Sequence, residues 1–179
     1  MNKIIIRTDI SSSIGFGHVA RIETLLNYIN YVNLIFVLDS KSDVQLLDSF
    51  NFTCEILLVD KEHKWIESLD SNDIVLIDSY IFDRNLFSLI RLKSKKLIYI
   101  DDLCDGYYDV DLLINHSDYF KQNEFLIGEN TIVNLGLKYA LINPIFKSSI
   151  RKIESFKTVC FCQGGSDVSL FTEKILNDI

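Results

Sequence analysis

The chain has 179 residues, 48% hydrophobic and 24% charged, with a formal net charge of −7 and a pI near 4.9. These values describe a soluble globular chain long enough for one domain with a proper core. Its scattered Lys and Arg exclude the basic stripe that a nucleic-acid surface needs. No apolar run approaches the roughly 20 residues of a membrane helix. The N-terminal MNKIIIRTD lacks the apolar region of a secretory signal, so a cytoplasmic protein without membrane contact is expected.

The apolar run Ile4-Ile5-Ile6 places the first strand at Lys3–Arg7. A polar loop with Gly15 and Gly17 follows, and Val19, Ile22, Leu25, Leu26 and Ile29 then recur at helical spacing, predicting a helix over His18–Asn30. Strands are expected next at Asn33–Leu38, Cys54–Val59, Ile74–Ile77, Leu97–Ile100 and Leu112–Ile114. Between them come helices at Asp43–Phe50, at Lys61–Leu69 with Trp65 packing inward, and at Phe82–Leu92. Arg91, Lys93, Lys95 and Lys96 are the densest basic cluster and read as the end of that last helix, where cations offset the dipole.

Strands alternating with helices of about ten residues imply βαβ units. The expected fold is α/β, a Rossmann-like and mostly parallel sheet with helices on both faces. Continuously apolar strands such as Ile74–Ile77 suit burial on both sides. After about residue 115 the pattern loosens into a loop-rich stretch holding the only proline, Pro144. Residues 1–150 read as one domain. Residues 151–157 read as a linker, Thr158–Gln163 as a new strand, and Ser169–Ile179 as the helix after it. This repeats the opening of the chain and suggests the start of a second, truncated unit. The alternative is that this strand and helix dock on the edge of the first sheet.

Ligands of open α/β sheets bind beyond the carboxyl ends of the strands. Asp9, Ser11–Ser13, Gly15, Gly17 and His18 lie there after the first strand, and Asp78, Ser79 and Tyr80 after the fourth. Asp101 and Asp102 follow the fifth strand, and Asn115 and His116 the sixth. Strand, glycine loop and helix make an anion-friendly turn. A histidine at a helix N-terminus is favoured in its neutral, basic form. The set suits a polar substrate and acid–base work. His63 reads as a solvated helix residue. The four carboxylates Asp9, Asp78, Asp101 and Asp102 form no spacing that favours a metal beyond one adjacent pair. Cys54, Cys104, Cys160 and Cys162 show no CxxC and read as small buried hydrophobes, the last two on one side of a strand.

RTDISSSIGFGHVAR resembles the N-terminal motif of the PseG-type UDP-2,4-diacetamido-2,4,6-trideoxy-β-L-altropyranose hydrolases of pseudaminic acid biosynthesis. IDSY (Ile77–Tyr80), IDD (Ile100–Asp102), DLLIN (Asp111–Asn115), GLKYALINPIF (Gly136–Phe146) and CQGGSD (Cys162–Asp167) follow in family order. The resemblance implies a GT-B-like enzyme with two Rossmann-type domains and the active site between them. It implies hydrolysis of the bond between an anomeric carbon and UDP, with His18 as catalytic base and no cofactor or metal. Asp9, Gly15, Gly17, Arg21, Asp78, Tyr80, Asp101 and Asn115 become the substrate-binding candidates. Gly164, Gly165 and Ser166 become the candidates for the nucleotide diphosphate. Family members are longer, so the nucleotide half of the site is expected to be incomplete, and the exposed inter-domain face invites self-association. Two other readings remain open: half of a GT-B glycosyltransferase, and a non-catalytic sugar-nucleotide-binding module.

Overall fold

Ile4–Thr8 forms β1, a strand with no solvent-facing side, because β-branched residues fill both of its faces. The computed structural model describes residues 3–29, 33–146, 155, 158, 160, 161 and 170–177. The chain continues through α1 (Gly17–Leu26), β2 (Leu34–Asp39), a 3-10 turn at Val44–Ser49 and β3 (Glu55–Val59). Next come α2 (Glu62–Glu67), β4 (Ile74–Asp78), α3 (Arg84–Lys93) and β5 (Lys96–Ile100). Then follow β6 (Tyr107–Tyr108), β7 (Leu112–Asn115), β8 (Leu126–Ile127), β9 (Ile132–Leu135) and α4 (Phe171–Asn177).

Seven strands make one parallel sheet in the order β3-β2-β1-β4-β5-β7-β9. The chain moves outward from β1 to β3, then returns to β4 beside β1 and moves the other way. The order therefore reverses between β1 and β4, and a crevice opens at their carboxyl ends. This is the expected Rossmann-like fold.

Two apolar cores lie on the two faces. Val19, Ile22 and Leu26 of α1 pack on Ile6, Phe36, Leu38, Leu76 and Ile100. Trp65 and Ile66 of α2 and Phe87 and Ile90 of α3 pack on Ile5, Val37, Val75, Ile77, Leu97 and Tyr99. Side chains alternate along a strand. Ile6, Leu76, Ile98, Ile100 and Ile114 therefore point to the α1 face, and Ile5, Ile77, Tyr99 and Leu113 to the opposite one.

Arg7 lies on the α2 face, fully buried. Its Nη1 donates to Asp9 Oδ1 at 2.7 Å and its Nε to both Glu62 oxygens at 3.0 and 3.1 Å. Nη2 lies 2.9 Å from Glu62 Oε1 but is not aligned for a hydrogen bond, so this contact is ionic only.

Several expectations shift. Asp43–Phe50 closes into a 3-10 turn in place of an α-helix. The loop-rich stretch after residue 115 contains β9, which pairs with β7 at the sheet edge, and β8, which pairs with β6 in a small second sheet. Cys54 and Cys104 are half-buried and pack against the two cores, Cys160 is exposed, and all three are free thiols. Arg91 and Lys93 do sit in the last turn of α3, Trp65 is buried, and His63 is exposed. The expected turn Gly164, Gly165, Ser166 lies outside the described residues, as do Val159, Cys162 and Gln163 of the expected strand before it; Thr158, Cys160 and Phe161 are described and form no strand. Helix α4 falls within the expected Ser169–Ile179.

Phe87 carries the α3 side of the core, 1% exposed and edge-on to Tyr99 at 4.9 Å. Phe87→Ala is expected to cost about 3–5 kcal/mol, read as a lowered midpoint in urea unfolding.

Candidate active site

The site is built where the strand order reverses. After β1 the chain turns back, with Gly15 N donating to Ser11 O at 2.8 Å. Gly15 has φ of 86°, a conformation that penalises any side chain. Gly17 differs: a Cβ there would meet no atom within 4 Å. The turn requires the first glycine, and no protein contact requires the second. α1 then begins at Gly17 with no side-chain cap and no acidic residue in its first turn. The positive end of its dipole is therefore uncompensated.

His18 and Arg21 stand one turn apart on α1 and meet the end of β4. Asp78 is the last residue of that strand and is 1% exposed. His18 Nδ1 lies 2.6 Å from Asp78 Oδ1. A carboxylate only accepts, so Nδ1 carries the proton, and Nε2 is left as the basic nitrogen. Arg21 Nη2 also approaches Nδ1 at 3.0 Å, but it donates to Asp78 Oδ1 at 2.7 Å, because a protonated Nδ1 has no lone pair to offer.

Arg21 holds two carboxylates. Its Nε donates to Asp78 Oδ2 at 3.0 Å, and its Nη1 to both oxygens of Asp102 at 2.6 and 2.7 Å. Burial opposes the Arg21 charge, but Asp78 and Asp102 outweigh it, and the guanidinium holds its proton more tightly than usual. Burial also opposes the Asp102 charge, yet the bonds from Arg21 and Tyr80 win and keep this carboxyl below its ordinary range. Tyr80 donates its hydroxyl to Asp102 Oδ2 at 2.9 Å. Burial, then that bond, push the phenol up to about 12, so it remains a donor. The Tyr80 ring stands edge-on to His18, with centroids 4.8 Å apart. His116 Nδ1 lies 3.9 Å from Asp102 Oδ1. His18, Arg21, Tyr80, Asp102 and His116, with Ile14 and Gly17, line an open cavity of about 340 Å³.

Not every candidate converges. Asp101 is buried and accepts from Tyr108 Oη at 2.8 Å, Asn115 Nδ2 at 2.8 Å, Cys104 N at 3.0 Å and Leu103 N at 3.3 Å. Asn115 is buried beside it, its Oδ1 accepting from Ser117 N at 2.9 Å. Both side chains are engaged within the protein, on the α3 face. Asp9 binds Arg7 and lines a separate cavity of about 300 Å³ with Ser11, Ser13, Asp39 and Lys41; Ile14 borders both cavities. Alternation explains the split. Asp78, Asp102 and His116 continue the side of each strand that faces α1, and Asp101 and Asn115 continue the other. Asp102 and His116 carried no assigned role in the sequence, yet they line the cavity. The four carboxylates do not gather, since Asp9 sits on Arg7, Asp101 on its amide and phenol donors, and Asp78 and Asp102 share one guanidinium.

No family model matches the chain. Among curated proteins it is similar to the UDP-2,4-diacetamido-2,4,6-trideoxy-beta-L-altropyranose hydrolase of Campylobacter jejuni, 25% identical over 99% of this chain and 65% of that protein. It is also similar to an uncharacterised protein of Methanocaldococcus jannaschii, 28% identical over 99% of this chain and 40% of that protein. The relationship to both is distant, and the chain spans less than two thirds of the length of either. No helix among the described residues is long and apolar enough to cross a membrane.

The two glycines are expected to respond differently to the same change. Gly15→Ala costs about 1–2 kcal/mol, whereas Gly17→Ala shifts stability by less than about 1 kcal/mol, both read from urea midpoints. Asp102 contributes stability that is present above its unfolded pKa of about 4 and lost as pH falls below it. The gap in unfolding free energy between the protein and Asp102→Asn is therefore expected to be wider at pH 6 than at pH 3.

Proposed function

We propose that the chain acts on a nucleotide-activated sugar and hydrolyses the bond between the anomeric carbon and the UDP oxygen. The observation that carries this reading is the buried His18–Asp78 pair at the crevice between β1 and β4. Asp78 orients the imidazole and fixes its tautomer, and the basic Nε2 takes a proton from water as the water attacks the anomeric carbon. The distant likeness to a UDP-sugar hydrolase supports the choice of substrate class.

Charge supports the direction of the chemistry. Asp78 and Asp102 set two negative charges against the single positive charge of Arg21. The site therefore favours a neutral sugar ring over a bare diphosphate, and it favours the positive charge that develops at the anomeric carbon in an oxocarbenium-like transition state. Tyr80 and Gly17 shape the sugar side of the cavity. The diphosphate is assigned to Gly164, Gly165 and Ser166, and Arg21 to holding the two carboxylates. The protein is assigned to the cytoplasm and to sugar biosynthesis of the pseudaminic acid type, with residues 1–150 forming the catalytic domain.

The test is UDP release from UDP-2,4-diacetamido-2,4,6-trideoxy-β-L-altropyranose. His18→Ala is expected to lose at least about 100-fold in kcat, and Asp78→Asn about 10-fold or more. Gly17→Ala is expected to lower kcat/KM while leaving the unfolding midpoint nearly unchanged, because its added methyl enters the cavity. Unchanged turnover in His18→Ala sinks the assignment of the base. A new glycosidic bond formed only when an acceptor sugar is supplied would make the protein a transferase instead.

A further inference from the structure

In hydrolysis of a glycosyl phosphate, water must lose a proton, and the departing oxygen gains negative charge that a donor can stabilise. The cavity meets the first need with His18 Nε2. The donors of its other polar side chains are directed at neighbouring groups. Arg21 turns four of its five N–H donors to Asp78 and Asp102, and its Nη2 also abuts His18 Nδ1 at 3.0 Å. The Tyr80 hydroxyl is given to Asp102. His18 Nδ1 is given to Asp78. Asp102 is ionised and only accepts.

His116 remains. It follows β7 on the α1-facing side and lines the same cavity as His18. Its side chain is 39% exposed. The groups facing it are Asp102 from the loop after β5, Arg21 from α1, and Tyr80 from the loop after β4. Asp118 is the nearest charged residue along its own loop. Asp102 Oδ1 lies 3.9 Å from His116 Nδ1, too far to take its hydrogen in a bond.

We propose that His116 is the leaving-group donor of this site, its imidazolium meeting the phosphate oxygen that departs from the anomeric carbon. The proposal rests on the hydrolysis reading above. The water oxygen bonds to the anomeric carbon as the bond from that carbon to the phosphate oxygen breaks, and the bonding pair goes to that oxygen. The water proton passes to His18 Nε2. The His116 proton passes to the departing oxygen, and both imidazoles return to their starting states by exchange with solvent. The two histidines thus form a base and acid pair held by one Arg21 bridge.

The experiment compares two leaving groups on the same sugar, UDP and 2,4-dinitrophenolate, which departs without a proton. His116→Ala is expected to lose about 10- to 100-fold in kcat/KM with the UDP-sugar and less than about 3-fold with the dinitrophenyl glycoside. His116→Gln, which keeps bulk and a neutral donor, is expected to fall between. His18→Ala is expected to lose with both substrates. Equal losses from His116→Ala on both substrates, or none on either, overturn the proposal while leaving His18 as base. Intact activity in His18→Ala overturns the hydrolysis reading itself, whatever His116 does. Should the chain turn over neither substrate, proton NMR decides. The chain has three histidines, and added UDP is expected to move the His116 ring signals and leave those of His63 in place. A spectrum in which His116 does not move on saturation with UDP overturns the proposal.

Discussion

One guanidinium between two carboxylates organises the carboxyl end of this sheet. Arg21 comes from α1, Asp78 from β4 and Asp102 from the loop after β5, so a single side chain joins three elements distant in sequence. The pairing with Asp78 is bidentate, the geometry in which arginine outperforms lysine, and Nη1 alone spans both oxygens of Asp102. Burying three charges carries a desolvation cost that well-packed apolar residues would avoid. What the arrangement gives in return is position. Asp78 can face His18 only because Arg21 fixes both of its oxygens, and Tyr80 is held over His18 by the far carboxylate.

Behind this layer lies a second polar cluster that faces away from the cavity. Asp101 gathers two backbone N–H groups, a phenol and an amide, and thereby pins the loop after β5 to β7 and to the aromatic stack of Phe87, Tyr99 and Tyr108. Tyr108 stays protonated because burial disfavours its anion most strongly, with the Asp101 contact adding to that. The adjacent acids Asp101 and Asp102 thus do opposite work: one makes the loop rigid, and the next presents its carboxylate to the site. Removing Asp101 would loosen the loop that delivers Asp102 and, through Arg21, the contact between Asp78 and His18.

The architecture was legible because its signals are local. β-branched runs, helical spacing and the Gly15 turn each declare themselves within a few residues, and βαβ connections imply a parallel sheet. β9 was not legible. Its four residues, Ile132–Leu135, form the edge of the sheet and contain an asparagine, and only pairing with β7 makes them a strand. The site was half legible for a related reason. His18, Asp78 and Tyr80 are legible because each lies at or just past the carboxyl end of a strand, whereas the sequence points to Asp101 and Asn115 in preference to Asp102 and His116. The choice turns on which face of the strand a residue continues. Leu97, Ile98, Tyr99 and Ile100 are apolar on both faces, so the sequence carries no alternation from which to read that parity.

Parity also explains why one rim of polar residues serves two ends. Residues continuing the α3 face enter a closed network in which Asp101 and Asn115 are buried and bonded. Those continuing the α1 face meet a helix whose first turn offers glycine and uncapped N–H groups, and there the packing leaves room. His18 stands at the positive end of that helix, beside Arg21 and against Asp78. A lysine at that position would carry a standing charge against Arg21, and a carboxylate would draw Arg21 away from Asp78. Of the ordinary bases, imidazole alone fits the field that the fold has already built.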